Sequence, residues 1–124
     1  MTKGDELKKL TIEQLVAAFT ESAIKQSQAE LYDRIPKLNR LIHESLASQE
    51  ELKSRDGDQR RALVPLLEHP NPQVRYMAAE FTLAVAPVAS RKALKDLSDN
   101  NIYPQAANAR GTLWSLEAGR RKPT

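Results

Sequence analysis

The chain has 124 residues, a formal net charge of +3, no cysteine, and aromatic side chains at only 5% of positions. A chain of this length can bury roughly two thirds of its unfolded surface around one core, so we expect a single domain. The lack of cysteine excludes disulfides and thiolate metal sites. The longest apolar run, residues 15–19, is far shorter than the ~20 residues that cross a bilayer. We therefore expect a cytoplasmic protein with no membrane contact.

Composition favours helices. Alanine, leucine, glutamine, glutamate, lysine and arginine dominate, whereas valine and isoleucine are sparse. No run alternates between apolar and polar residues for long enough to form a strand, and the one Asp-Gly pair, Asp56-Gly57, lies between two helical patterns. We therefore predict an all-α fold.

The first predicted helix begins at a capping box. Thr11 and Gln14 have the required spacing, in which the hydroxyl accepts from the third helical amide and the glutamine side chain reaches back. Proline disfavours helix in the residue before it, so we expect a break near residues 32–36. The apolar side chains of this helix share one face, at Ile12, Leu15, Val16, Phe19 and Ala23.

A second helix is predicted over residues 36–55. Gly57 is suited to the C-terminal cap of this helix, and Asp58 is suited to the N-cap of the next one. Its buried side is predicted to contain Leu38, Leu41, Ile42, Leu46 and Leu52.

Proline punctuates the second half of the chain. Pro72, Pro87 and Pro104 each precede a helical pattern, in the first turn, where a missing amide proton costs nothing. With Asn71 as an N-cap and Gly119 as a stop, the predicted helices span residues 59–68, 72–85, 87–98 and 104–118. Pro65 lies inside the first of these and should kink it or divide it into two short turns.

These four helices form two similar pairs. Residues 61–67 align with residues 92–98 at a shift of 31, and residues 71–83 align with residues 103–115 at a shift of 32. A repeat near 32 residues indicates stacked helical units. A shift of 35, which places Val74-Arg75 on Ala109-Arg110, competes with it, and so does chance similarity between two alanine-rich helices.

The central segment carries a recognisable motif. HPNP at 69–72, VR at 74–75, AA at 78–79 and Leu83 together resemble a HEAT repeat, with Pro65 where the first helix of such a repeat bends. With GDQRR at 57–61 and YPQA at 103–106, the chain resembles a family of small bacterial HEAT-like proteins of unknown function. In the second repeat Ala106-Ala107 stands where Val-Arg would fall at a shift of 32.

The resemblance implies a short right-handed α-α superhelix of the HEAT or armadillo type. It would contain about six helices over residues 1–120, followed by a disordered tail at residues 121–124. Each helix pair would bury its apolar face against its neighbours. Phe81, the largest apolar residue of the central stripe, is expected in that core.

Catalytic and metal-binding patterns are weak. His43-Glu44 invites comparison with HEAT-like di-iron hydroxylases, but these enzymes use several His-Glu pairs and this chain has one. The other histidine, His69, lies in a turn. The sequence contains no glycine-rich phosphate loop and no nucleophile elbow. We therefore expect no enzyme activity, no cofactor and no metal.

The implied function is a protein-binding module whose partner is another protein or a second copy of the chain. Its binding residues would face outward from the second helices of the two pairs. Arg75 also follows a valine, where HEAT repeats use arginine for hydrogen bonds between repeats. The predicted binding residues are Arg75, Tyr76, Glu80, Asn108 and Thr112.

Nucleic-acid binding is the alternative, because the second half of the chain is more basic than the first. It is less favoured, because the cations that could contact phosphates are scattered over four helices. They are Arg60, Arg61, Arg91, Lys92, Lys95 and Arg110. Tyr103 and Trp114 in the last unit either close the core as a terminal cap, which we favour, or leave an exposed aromatic patch.

Overall fold

The structure is a computed structural model. It describes the backbone of residues 3–32 and 35–124, and the side chains of residues 6–28 and 36–124. Within these ranges the chain forms helices and no strand, which confirms the all-α class. The predicted break at residues 32–36 falls partly on residues 33–34, which lie outside the described residues.

The described ranges contain six α-helices and one 3₁₀ segment. They are α1 (Lys3–Lys8), α2 (Ile12–Tyr32), α3 (Ile35–Ser54), the 3₁₀ segment (Gln59–Glu68), α4 (Pro72–Thr82), α5 (Pro87–Asp99) and α6 (Gln105–Glu117). Helix α1 was not predicted, and α4 ends at Thr82 rather than at residue 85. No helix in the described ranges combines the length and apolar character needed to cross a bilayer.

Contacts concentrate in two compact units, Met1–Ala62 and Leu63–Thr124. The first unit contains α1 to α3, and the second contains α4 to α6. The expectation of one domain over residues 1–120 stays a prediction.

The predicted capping box is present at the start of α2. The Thr11 amide donates to Gln14 Oε1 at 2.8 Å, and the Gln14 amide donates to Thr11 Oγ1 at 3.1 Å. Two amides that would lack partners at the helix start are thereby satisfied.

Local caps also define the ends of α4 and α6 as predicted. Asn71 Oδ1 accepts from the amides of Gln73 at 2.8 Å and Val74 at 3.3 Å. After α6, Gly119 has φ +71° and its amide donates to the Leu116 carbonyl at 3.2 Å. Glycine adopts this left-handed conformation without the steric cost of a Cβ atom.

The core of the first unit follows the predicted stripe on α2 but only part of the predicted stripe on α3. Leu15, Phe19 and Ala23 are fully buried. On α3, Leu41 and Leu52 are buried, whereas Ile42 and Leu46 are 37% and 40% exposed.

The buried face of α3 contains polar residues, whereas Ile42 and Leu46 lie outside it. Ser45, Ser48 and Gln49 are all nearly inaccessible. Gln26 on α2 contacts this polar face: its Nε2 donates to the Leu41 carbonyl at 3.2 Å and to Ser45 Oγ at 2.7 Å. A buried amide needs such partners, so the two helices meet along a partly polar seam.

One buried apolar cluster of the second unit is made of leucine and alanine contributed by α4 with the residue after it, α5 and α6. Its buried members are Ala79, Leu83, Leu94, Leu97, Ala109 and Leu116. Phe81 is only half-buried, contrary to prediction. The buried stripe of α4 passes through Ala78 and Thr82, so Phe81 lies at its edge.

The segment before α4 keeps its predicted bounds, and its helix is of the 3₁₀ type. Gln59–Glu68 is a 3₁₀ helix with Pro65 inside it. Proline has no amide proton and clashes with the carbonyl four residues earlier in an α-helix, which disfavours regular α-helical hydrogen bonding here.

Candidate binding face on α4 and α6

Helices α4 and α6 run parallel within the second unit. Gln105 Nε2 donates to Gln73 Oε1 at 2.9 Å, and Thr112 Oγ1 donates to Glu80 Oε1 at 2.6 Å. Each bond joins residues 32 positions apart, and the two pairs follow the same order along both helices. The helices therefore meet at the shift of 32 and not at the competing shift of 35.

Glu80 is the centre of a hydrogen-bonded network on this side of the unit. Its Oε1 accepts from Tyr76 Oη and from Thr112 Oγ1, each at 2.6 Å. Its Oε2 forms an ion pair with the guanidinium of Arg121. The Glu80 side chain is only 12% exposed, so its charge is balanced by groups of the chain rather than by water.

The tyrosine in this network is fixed as a donor. Burial raises the pKa of the Tyr76 phenol, and the hydrogen bond to Glu80 raises this pKa further. The phenol consequently stays protonated and can donate to the carboxylate. Two hydroxyls thus donate to Oε1 of this buried carboxylate, while Oε2 makes no hydrogen bond among the described residues and contacts the Arg121 guanidinium as an ion pair.

The segment after α6 brings Arg121 to this network. We call residues 118–124 the post-α6 segment. The amides of Arg120 and Arg121 donate to the Ser115 carbonyl at 3.0 and 3.2 Å, and the Arg120 guanidinium lies 4.6 Å from the centre of the Trp114 ring. Arg121, the first residue of the predicted disordered tail, is therefore attached to α6.

Most of the chain matches the model of one protein family. Residues 13–117 match a family model described as Domain of unknown function (DUF2019). The chain belongs to this family. This confirms membership of a family of unknown function, whereas the HEAT-like character of the repeats stays a prediction.

A solved structure is similar to this family member over nearly its whole length. It is the crystal structure of the protein RPA1889 from Rhodopseudomonas palustris CGA009, with 43% sequence identity and a TM-score of 0.93. The match covers 95% of this chain and 98% of that chain. No curated protein matches the chain.

The predicted binding residues of this DUF2019 chain fall into two groups. Tyr76, Glu80 and Thr112 are joined in the network, whereas Asn108 lies one turn before Thr112 and is exposed. The prediction that these residues face outward is wrong for Thr112, which is 7% exposed, and for the Glu80 side chain, which is 12% exposed, because their hydrogen bond turns both side chains towards the contact between the two helices. Arg75 lies about 100° around α4 from Tyr76. Its Nε is buried and has no hydrogen-bond partner among the described residues.

Two parts of the site were not predicted from the sequence: the Gln73–Gln105 pair and Arg121. Gln73 and Gln105 each follow a proline, and they align at the shift of 32, so the sequence did carry a signal for their pairing. Arg121 carried no such signal, because its contact with Glu80 depends on the path of the chain after α6.

The aromatic residues of the last unit do not form the predicted cap. Tyr103 is 58% exposed and Trp114 is 55% exposed. An arginine covers each ring instead, with Arg110 located 5.4 Å from the Tyr103 centre and Arg120 over Trp114. Such contacts partly shield the ring faces while leaving the cations in water.

The proposed basic strip is largely engaged in local contacts. Arg60 is buried and pairs with Asp58 at 2.6 Å, and its hydrogen bonds hold the pKa of Asp58 below the usual range. Arg110 Nη2 donates to the Ser98 carbonyl at 2.7 Å and to Asn101 Oδ1 at 2.6 Å. Lys92 and Lys95 form ion pairs with Asp96 and Asp99, one turn along α5.

The histidines lie apart from any metal-ligating cluster in the described ranges. His43 is exposed, and its neighbour Glu44 accepts from Ser22 Oγ at 3.4 Å. His69 Nδ1 accepts from the Asn71 amide at 3.0 Å, so this ring caps the turn before α4. No group of three or more potential ligands is present in these ranges.

Proposed function

We propose that the chain is a non-enzymatic protein-binding module whose contact surface is the side of α4 and α6 formed by Tyr76, Glu80, Asn108 and Thr112. We call this surface the α4–α6 face. The observation that carries the proposal is the convergence of Tyr76 and Thr112 on Glu80.

This convergence favours binding because it fixes side chains before a partner arrives. Tyr76 and Glu80 lie on adjacent turns of α4, while Asn108 and Thr112 lie on adjacent turns of α6. Hydrogen bonds hold three of these four side chains, so a partner orders fewer rotamers on docking. Tyrosine is also among the residues enriched where proteins bind one another most strongly.

The parallel register of α4 and α6 supports a stacked-helix architecture for this surface. In solenoids, equivalent positions of successive repeats lie side by side and form an extended binding surface. Gln73 with Gln105 and Glu80 with Thr112 are equivalent positions at a shift of 32. We propose that the HEAT-like resemblance reflects this arrangement.

The alternative of nucleic-acid binding has weaker support. Phosphate binding needs cations that are available to displace counterions. Arg60 is already buried against Asp58, and Arg110 is tied to the turn before α6. The paired lysines of α5 have their charge locally balanced.

The direct test substitutes an exposed residue of the α4–α6 face. Asn108→Arg adds a bulky charge without removing any side chain of the Glu80 network. Asn39→Arg makes the same chemical change at an exposed position of α3 and is the matched control. Tagged full-length chains are used for affinity purification from the native host, with quantitative mass spectrometry.

We expect Asn108→Arg to reduce recovery of a specific partner at least tenfold, while Asn39→Arg recovers it at the wild-type level. Light scattering of the purified chains tests whether that partner is a second copy. Retention of every partner by Asn108→Arg would rule out this face as the contact surface.

A further inference from the structure

We infer that Glu80 is the docking point for an arginine side chain of a protein partner, and that Arg121 occupies this point within the free chain. The inference rests on the proposed function of the α4–α6 face and deepens it. It assigns the chemistry of the partner and gives the post-α6 segment the role of an internal competitor.

The first step is the charge requirement of Glu80. A carboxylate that is only 12% exposed loses most of its hydration and needs a nearby cation. The neighbouring helices provide Tyr76 and Thr112, which are neutral donors to Oε1. The positive charge at Oε2 comes from Arg121, which lies outside both helices.

The second step is the accessibility of the present occupant. The Arg121 side chain is 39% exposed, so solvent and a competing side chain can reach it. Its segment has no helical structure, and the contacts that hold Arg120 and Arg121 include two backbone bonds to Ser115, the position of Arg120 over Trp114, and the Glu80 ion pair. Exchange of this segment leaves α4 and α6 in place.

The third step is the choice of arginine over lysine. A guanidinium is more weakly hydrated than an ammonium and loses less on entering a mostly buried ion pair. The chain itself places an arginine at this point, although Lys122 is the next residue along the segment.

Competition follows from the tether. Arg121 is tethered to the end of α6, which lies beside Glu80, and a short tether of this kind gives an effective concentration on the order of millimolar. A partner arginine must displace it, so the apparent dissociation constant of the intact chain is the intrinsic constant divided by the fraction of molecules in which Arg121 has left Glu80. Removing the Arg121 guanidinium should therefore strengthen binding of an arginine peptide.

The test uses the post-α6 sequence as a ligand supplied in trans. The probe is a synthetic peptide of residues 119–124, acetylated and amidated, and the control peptide carries Arg121→Gln. Each is titrated into the ¹⁵N-labelled full chain as wild type, Arg121→Ala, and Arg121→Ala with Glu80→Gln. Shifts of the Glu80 and Thr112 backbone amides give the dissociation constants.

We expect Arg121→Ala to bind the probe at least tenfold more tightly than the wild type, and the control peptide at least tenfold more weakly than the probe. Adding Glu80→Gln should reverse the gain. Equal affinity of Arg121→Ala and wild type overturns the inference, and so does probe binding that survives Glu80→Gln.

A second readout uses only the wild-type chain, so its result does not depend on whether a substituted chain folds. Trp114 is the single tryptophan, and the Arg120 guanidinium lies over its ring. Displacement of the segment should separate these groups and change Trp114 fluorescence with the probe but not with the control peptide. An identical response to both peptides counts against displacement.

The outcomes separate this inference from the proposed function. Loss of partner recovery in Asn108→Arg, together with equal probe binding by wild type and Arg121→Ala, retains the α4–α6 face and overturns the arginine assignment. Probe binding as expected, with partner recovery unchanged in Asn108→Arg, supports the Glu80 docking point and rejects the face as the surface used by that partner.

Discussion

Gln73 and Gln105 form a buried side-chain hydrogen bond across 32 residues, with Nε2 of Gln105 2.9 Å from Oε1 of Gln73. Both side chains are 5% exposed. Because each follows the proline at the start of its segment, the bond links the beginning of α4 to the beginning of α6. It fixes their register together with the contact between Glu80 and Thr112.

The first prediction concerns this amide pair. Gln105→Met keeps the length of the side chain but leaves Gln73 Oε1 without its donor, so we expect the free energy of unfolding to fall by ~1–3 kcal/mol. Urea denaturation measures this change. The combined Gln73→Met and Gln105→Met variant should lose less than the sum of the single variants. Additive losses would show that the two amides do not interact.

The second prediction compares two glycines. Gly111 lies within α6, and no atom is within 4 Å of an added Cβ, so Gly111→Ala should stabilise the chain by ~0.5–1 kcal/mol. Gly119 has φ +71°, and Gly119→Ala should destabilise it by ~1–2 kcal/mol. Thermal unfolding of both variants measures the opposite signs. The same sign for both would contradict these backbone assignments.

The third prediction concerns alkaline pH. The pKa of Tyr76 is raised in the folded chain above its unfolded value of about 10. Its contribution to stability is therefore fully present below pH ~10 and is lost as the pH rises towards the folded pKa. Urea midpoints of wild type should fall more steeply above pH ~10 than those of Tyr76→Phe.

The same variant has an expected effect at neutral pH. Tyr76→Phe removes a hydrogen bond to a charged acceptor and should cost ~1.5–3 kcal/mol. Tyr103→Phe is the control, because Tyr103 is exposed and lies outside the Glu80 network. Parallel pH profiles for wild type and Tyr76→Phe would contradict the third prediction.

The fourth prediction concerns the alternative function. Fluorescence anisotropy with a labelled DNA duplex should show no binding tighter than ~10⁻⁴ M at moderate salt, the weak end of non-specific binding. Combined Arg61→Gln and Arg91→Gln substitutions should change nothing. Tight binding that weakens steeply with added salt, and that these substitutions reduce, would favour a nucleic-acid partner.

Local chemistry in the sequence determined where α2 and α4 begin and where α6 ends. The Thr11 capping box, the Asn71 cap and the positive-φ Gly119 act within a few residues of their own positions. Their geometry depends little on distant parts of the chain, so the residue types are sufficient to predict it.

Long-range packing decided which side chains these helices bury. On α3, Ser45 is buried and accepts a hydrogen bond from Gln26 of α2, whereas Ile42, predicted to be buried, is 37% exposed. Arg121 reaches Glu80 because the chain turns after Gly119. Burial and charge pairing depend on atoms brought together from distant positions, and helical periodicity specifies a face without specifying the neighbour that will cover it.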